Sequence, residues 1–130
     1  AALCAYPTNK EAALEMLDFL KGPQPLSAYD KQFLADRLRG KPYLPLSYFK
    51  GATPENGYTP DRPYVITVRD NPHSYAQKAE GYVQLYLQSS GADSPRPVKL
   101  REKPSTGQWF LWEQMLLSDI RPPKSADPWA

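Results

Sequence analysis

Any chemistry in this chain has to be drawn from one histidine, one cysteine, nine serines and fourteen carboxylates. His73 lies in Asp70-Asn71-Pro72-His73-Ser74-Tyr75, a turn segment. No second histidine and no cysteine stands near it at ligand spacing, so a zinc site would have to be built from several carboxylates. Ser94, His73 and Asp93 supply the residue types of a hydrolytic triad. With nine serines and a single histidine such a trio arises easily by chance, and the Gly-x-Ser-x-Gly elbow is absent. The Gly-x-x-x-x-Gly-Lys phosphate loop is absent too. Cys4, in Ala1-Ala2-Leu3-Cys4-Ala5-Tyr6, reads as a small buried hydrophobe, because no basic or histidine neighbour is there to lower its pKa. The expectation is no catalytic residue, no metal ligand set and no cofactor.

Binding chemistry is better represented. The segment from Ser89 to Pro97 holds Gly91, Asp93 and Ser94, and Arg96 between two prolines. A rigid turn displaying an acid, a hydroxyl and a guanidinium can recognise a carboxylate or phosphate. It can equally satisfy itself, with Arg96 tying down the C-terminal tail. Glu113, beside Trp112, is expected to form an ion pair with Arg96 or Arg101. Strand alternation also gathers Thr67, Arg69, Tyr82, Gln84, Tyr86, Lys99 and Arg101 on one polar face, with either Phe110 and Trp112 or Trp109. Tyrosines beside basic groups on a sheet suit a protein or peptide partner. They also suit single-stranded nucleic acid, held by stacking and phosphate contacts, or ordinary cross-strand packing.

The elements that must position these residues fall into four stretches: a helical part over 1–41, an irregular loop over 42–63, an antiparallel sheet over 64–117 and an extended tail over 118–130. Residues 1–6 read as the end of a helix closed by Pro7. Thr8, three residues before Glu11, has capping-box spacing and predicts a second helix ending at Gly22-Pro23. Ser27 with Asp30 starts another, closed by Gly40 and Pro42, and the short link predicts that these two helices pair. The loop carries Tyr43, Leu44, Leu46, Tyr48 and Phe49 and is expected to pack down on its own side chains, with a short strand at Leu46–Phe49. Strands are predicted at Tyr64–Arg69, Gly81–Gln88, Val98–Glu102 and Gln108–Glu113, the last pair joined by a Ser105-Thr106-Gly107 turn. Together they predict one α+β domain, a helical pair on a four- to five-stranded antiparallel meander able to curl toward a small barrel.

The 130 residues fit one domain, and net charge +2 describes a mixed surface rather than the strong basic field of a dedicated nucleic-acid binder. Fifteen prolines shorten the helices and multiply turns. A single cysteine permits no internal disulfide, and no stretch reaches the roughly 18 apolar residues of a membrane span. Both point to the cytoplasm, while the absence of an initiating methionine leaves room for a removed upstream signal. Exposed aromatics make a homodimer a natural expectation.

Three strings, Phe49-Lys50-Gly51-Ala52-Thr53-Pro54-Glu55-Asn56, Ser90-Gly91-Ala92-Asp93-Ser94-Pro95-Arg96 and Ser105-Thr106-Gly107-Gln108-Trp109-Phe110-Leu111-Trp112-Glu113, together with the closing Asp127-Pro128-Trp129, carry a resemblance over nearly the whole chain. It resembles a family of uncharacterised bacterial proteins, common in gut Firmicutes and classed only as a domain of unknown function. The resemblance implies no catalytic residue. The residues themselves favour a non-catalytic binding or protein-interaction module using Arg69, Tyr82, Tyr86, Lys99 and Arg101 on the sheet, with Asp93, Ser94 and Arg96 in the loop. A single-stranded nucleic-acid binder comes second and a small enzyme third.

Overall fold

A computed structural model describes residues 1–130. Helix α1 (Ala2–Ala5) is followed by α2 (Lys10–Lys21) and α3 (Ala28–Leu38). Asn9, not Thr8, caps α2, its side chain accepting from the Ala12 amide. Thr8 instead turns its hydroxyl back to donate to the Ala5 carbonyl. At α3 the reciprocal bonds of Ser27 and Asp30 form the expected capping box. The closest helical neighbour of α2 is α1 rather than α3, and the link to α3 is fixed by Asp18, whose carboxylate accepts from the Leu26 amide at 2.8 Å.

Four strands, β1 (Val68–Arg69), β2 (Tyr82–Leu87), β3 (Arg96–Lys103) and β4 (Gln108–Gln114), form an antiparallel sheet in the order β1-β2-β3-β4. The fold is α+β, and the sheet stays open: β1 and β4 are its two edges and do not meet to close a barrel. With only two residues in β1, the ladder is too short on that side to curl around. Tyr64–Thr67 lie outside the strand, tied to the body by the bridge between Ile66 and Phe49, with the Val65 carbonyl accepting from the Lys50 amide and the Thr67 carbonyl from the Gln88 amide. Leu46–Phe49 contributes no strand either, because a 3-10 helix occupies Pro45–Tyr48. At the other edge α2 closes on β4. Gly22, at φ +64°, has no Cβ because the Phe110 ring occupies the place where one would project.

No strand residue belongs to the buried core cluster itself, but Leu87 and Leu111 on the inner side of the sheet pack against it. Leu3, Leu17, Leu34 and Leu38 from the helices meet Leu44, Tyr48 and Tyr58 from the loop, Ala92, and Leu117 and Ile120 from the tail. Tyr58 is fully buried, stacks on Tyr43 with ring centroids 5.4 Å apart, and donates its hydroxyl to the Arg121 carbonyl at 2.5 Å. Tyr48 donates likewise to the Leu116 carbonyl. The buried serines form a latch: Ser89 Oγ donates to Ser47 Oγ at 2.7 Å, and Ser47 Oγ donates to the Leu44 carbonyl at 2.7 Å. The expectation that the loop packs on its own aromatics therefore holds, and the tail is part of the same packing.

Gly91 makes that packing feasible through space rather than backbone angle. A Cβ at this position would overlap the Tyr58 hydroxyl and stand 2.8 Å from Ile120 Cγ2. Gly91→Ala is expected to lower stability by about 1–3 kcal/mol, the usual range for overpacking. Tyr58→Phe alone should cost about 1 kcal/mol for the lost hydrogen bond. Because the phenylalanine vacates the space the new methyl needs, the double variant should be more stable than the sum of the two losses implies. Urea unfolding of the four proteins measures this, and strict additivity would show that the two residues do not meet.

Candidate functional site

The polar face of the sheet is assembled by register. Tyr82 stands opposite Arg101, and Arg101 opposite Phe110; Gln84 is opposite Lys99, and Lys99 opposite Glu113. Tyr86 faces Pro97 on one side and Arg69 on the other. Between Lys99 and Leu100 the pairing shifts by one residue, so that Trp112 is the extra residue of a bulge in β4. A bulge re-aims a side chain. Here it sets both Trp112 and Glu113 against Lys99, and the Trp112 ring stands edge-on to Tyr82, centroids 6.1 Å apart.

The guanidinium of Arg101 sits 4.6 Å from the Trp112 ring centre and 5.5 Å from that of Tyr82, and Lys99 Nζ stands 4.9 Å from Tyr82. These cation–π contacts hold both side chains in place without neutralising them. Only two ion pairs exist in the molecule, Arg39 with Asp36 and Arg121 with Asp93. Arg69, Lys99 and Arg101 therefore have no carboxylate partner. Glu113 has no cationic one, against expectation: Arg101 turns to the rings and Arg96 to backbone carbonyls. Arg69 and Arg101 are exposed, and Tyr82, Gln84, Tyr86 and Lys99 are half-buried. The loop and tail, consumed in the core around Tyr58, do not cover this face.

Tyr86 lies about 13 Å from Tyr82 along β2, four residues at strand rise. Gln84 Nε2 donates to its hydroxyl at 2.8 Å. That bond, with a second from Asn71, holds the phenol below its ordinary pKa by favouring the charged form.

Asp93, Ser94 and Arg96 form a separate set. Arg96 donates from Nε to the Ser118 carbonyl, from Nη2 to the Asp119 carbonyl, and from Nη1 to the carbonyl and hydroxyl of Ser94. Asp93 accepts from Arg121 at 2.7 Å, and the guanidinium holds its carboxyl below the usual carboxylate range. This loop spends its polar groups on the tail. Arg96 sits opposite Leu87, on the same side of the sheet as Val98 and Leu100 rather than that of Tyr86 and Arg101.

His73 is exposed in its turn, its amide donating to the Asn71 side chain at 2.8 Å. No three His, Cys, Asp or Glu side chains gather at metal-binding range, and burial pushes the half-buried Cys4 thiol up. No helix is long and apolar enough to cross a membrane. Sequence reasoning missed Lys21 and Lys103. Lys21 Nζ reaches the Trp112 carbonyl at 3.4 Å across 91 residues of chain, a contact with no local signal.

Among known proteins, a family model described as a domain of unknown function (DUF6935) matches residues 1–124. No curated protein and no solved structure matches the chain.

The Gln84 bond makes a spectroscopic prediction. Removing the donor with Gln84→Leu should move the ionisation of Tyr86 upward, read from its ring signals in an NMR pH titration; an unchanged midpoint would mean that the amide does not reach the phenol.

Proposed function

The chain belongs to the DUF6935 family of domains of unknown function, and from that premise we propose that it is a non-catalytic binding module whose aromatic and basic sheet face takes an acidic stretch of a partner protein. The observation that carries this reading is the pair Arg101 and Lys99, set against Tyr82 and Trp112 with no carboxylate of the chain within ion-pair distance, Glu113 opposite Lys99 included. Side chains held by aromatic rings lose little further freedom on binding, so a carboxylate arriving there gains charge-assisted bonds at low entropic cost. Arg69, at the far end of Tyr86, extends the same charge along the face.

The geometry favours a peptide over single-stranded nucleic acid. Base stacking needs a free aromatic face, whereas Tyr82 is engaged by Lys99 and Arg101, and Trp112 by Arg101. A base arriving at these rings competes for them with the cations that would hold its phosphates. Asp93, Ser94 and Arg96 serve this reading indirectly, by keeping the tail away from the face.

The test is fluorescence anisotropy with a labelled oligoglutamate peptide and a labelled oligothymidylate of equal length, at low and raised salt. The peptide should bind, more weakly as salt rises, and Arg101→Ala should weaken it about tenfold, the effect of one charge-assisted contact. Binding of the oligothymidylate in preference to the peptide would replace this reading with nucleic-acid recognition. Binding of neither would remove it.

A further inference from the structure

Two cavities adjoin along the outer edge of β4, and they differ in character. The first, about 250 Å³, opens between the turn after α2 and the β3–β4 hairpin. Lys21, Arg101 and Lys103 line it with one acid, Glu102, beside the rings of Phe110 and Trp112. None of its three cations is ion-paired. The second, about 450 Å³, is a cleft between β4 and the two longer helices. Its wall is mostly apolar, with Leu17, Phe33, Leu34 and Leu111, and carries two acids, Asp30 and Glu113, so it favours an uncharged side chain over a further carboxylate. Lys21, Leu111 and Trp112 border both cavities, so the two meet at the point where Lys21 bonds the Trp112 carbonyl.

The cationic cavity is also continuous with the polar face, because Arg101 and Trp112 belong to both. An occupant of the face that continues over the β4 edge thus meets two further cations, Lys21 and Lys103, and then an apolar cleft. We infer that the partner segment is acidic with one large apolar side chain beside its acidic run, the carboxylates lying over Arg101, Lys21 and Lys103 and the apolar side chain filling the cleft. This inference rests on the proposed function and adds the anchor. Charge alone gives a salt-sensitive contact of little selectivity. A buried side chain in a preformed apolar cleft supplies the affinity and the choice of partner. The cleft suits it: Tyr29 and Met115, 77% and 55% exposed, line it and add apolar surface that an incoming side chain would cover.

The experiment compares two labelled peptides on the full chain, an oligoglutamate and the same peptide with one internal leucine or phenylalanine. The apolar residue should tighten binding about tenfold or more, as burial of one large side chain would. Tyr29→Ala/Met115→Ala, at exposed positions outside the core, should abolish that gain while leaving the affinity for plain oligoglutamate unchanged. Arg101→Ala should weaken both peptides. If oligoglutamate binds and the apolar residue adds nothing, or if its gain survives Tyr29→Ala/Met115→Ala, the anchor is wrong and the acidic-face reading stands. If neither peptide binds, that reading fails with it.

Discussion

The buried phenol of Tyr58 holds together parts of the chain that lie far apart in sequence. Its hydroxyl binds the tail at Arg121, its ring stacks on Tyr43, and its tip touches Gly91 in the loop before β3. Burial raises its pKa, as expected for an uncharged phenol in a low-dielectric site. The reason this contact matters is topological. A long proline-rich loop and a proline-rich tail could both have folded across the sheet. Tyr58 draws them to one end of the molecule, with Leu117 and Ile120 packed beside it, and the residues of the polar face stay exposed or half-buried. The molecule consequently has a compact core next to a sheet that is only partly covered, and only 19 of its 130 residues are buried.

The exposed side of the sheet is then organised by a second constraint, the bulge at Trp112. In a regular β4 the alternation that sends Leu111 inward would continue through the strand unbroken. Alternation alone already sets Phe110 and Trp112 on the side of Arg101; the added residue brings Glu113 to that side as well, opposite Lys99, and leaves Gln114 paired with Val98 on the other. The two rings leave Arg101 and Lys99 held but not neutralised, which distinguishes this surface from an ordinary ion-paired one. The anchored Asp93–Arg96 loop is the contrast: there every charge has found a partner within the chain.

Much of this was legible in the sequence, where a local pattern determines the outcome. Ser27 and Asp30 announce a capping box, and the alternation of Val83, Leu85 and Leu87 with Tyr82, Gln84 and Tyr86 announces β2 and its two faces. Thr8 and Asn9 are both competent caps one residue apart, and the choice between them turns on where the first turn's amides fall. Tyr64–Thr67 has strand composition but too little sheet beside it to pair with. The bulge is invisible in Trp109-Phe110-Leu111-Trp112 because it is set by fitting β4 between β3 and α2, not by local preference. Arg96 could be read either as a ligand group or as a tie for the tail, and only the carbonyls of Ser118 and Asp119, more than twenty residues away, distinguish the two. The cluster of Lys21 with Trp112 and Arg101 was illegible for the same reason.

The central claim is that the polar face is open and binds while the Tyr58 region only supports it. Backbone amide shift mapping by NMR during titration with an acidic peptide tests this in one spectrum series. Shifts concentrated at Tyr82, Gln84, Lys99, Arg101 and Trp112, with Tyr58, Gly91 and Ile120 unmoved, are the predicted result. Shifts centred on Tyr58 and the Asp93–Arg96 loop, with β2 and β3 silent, would contradict it and move the binding surface to the tail.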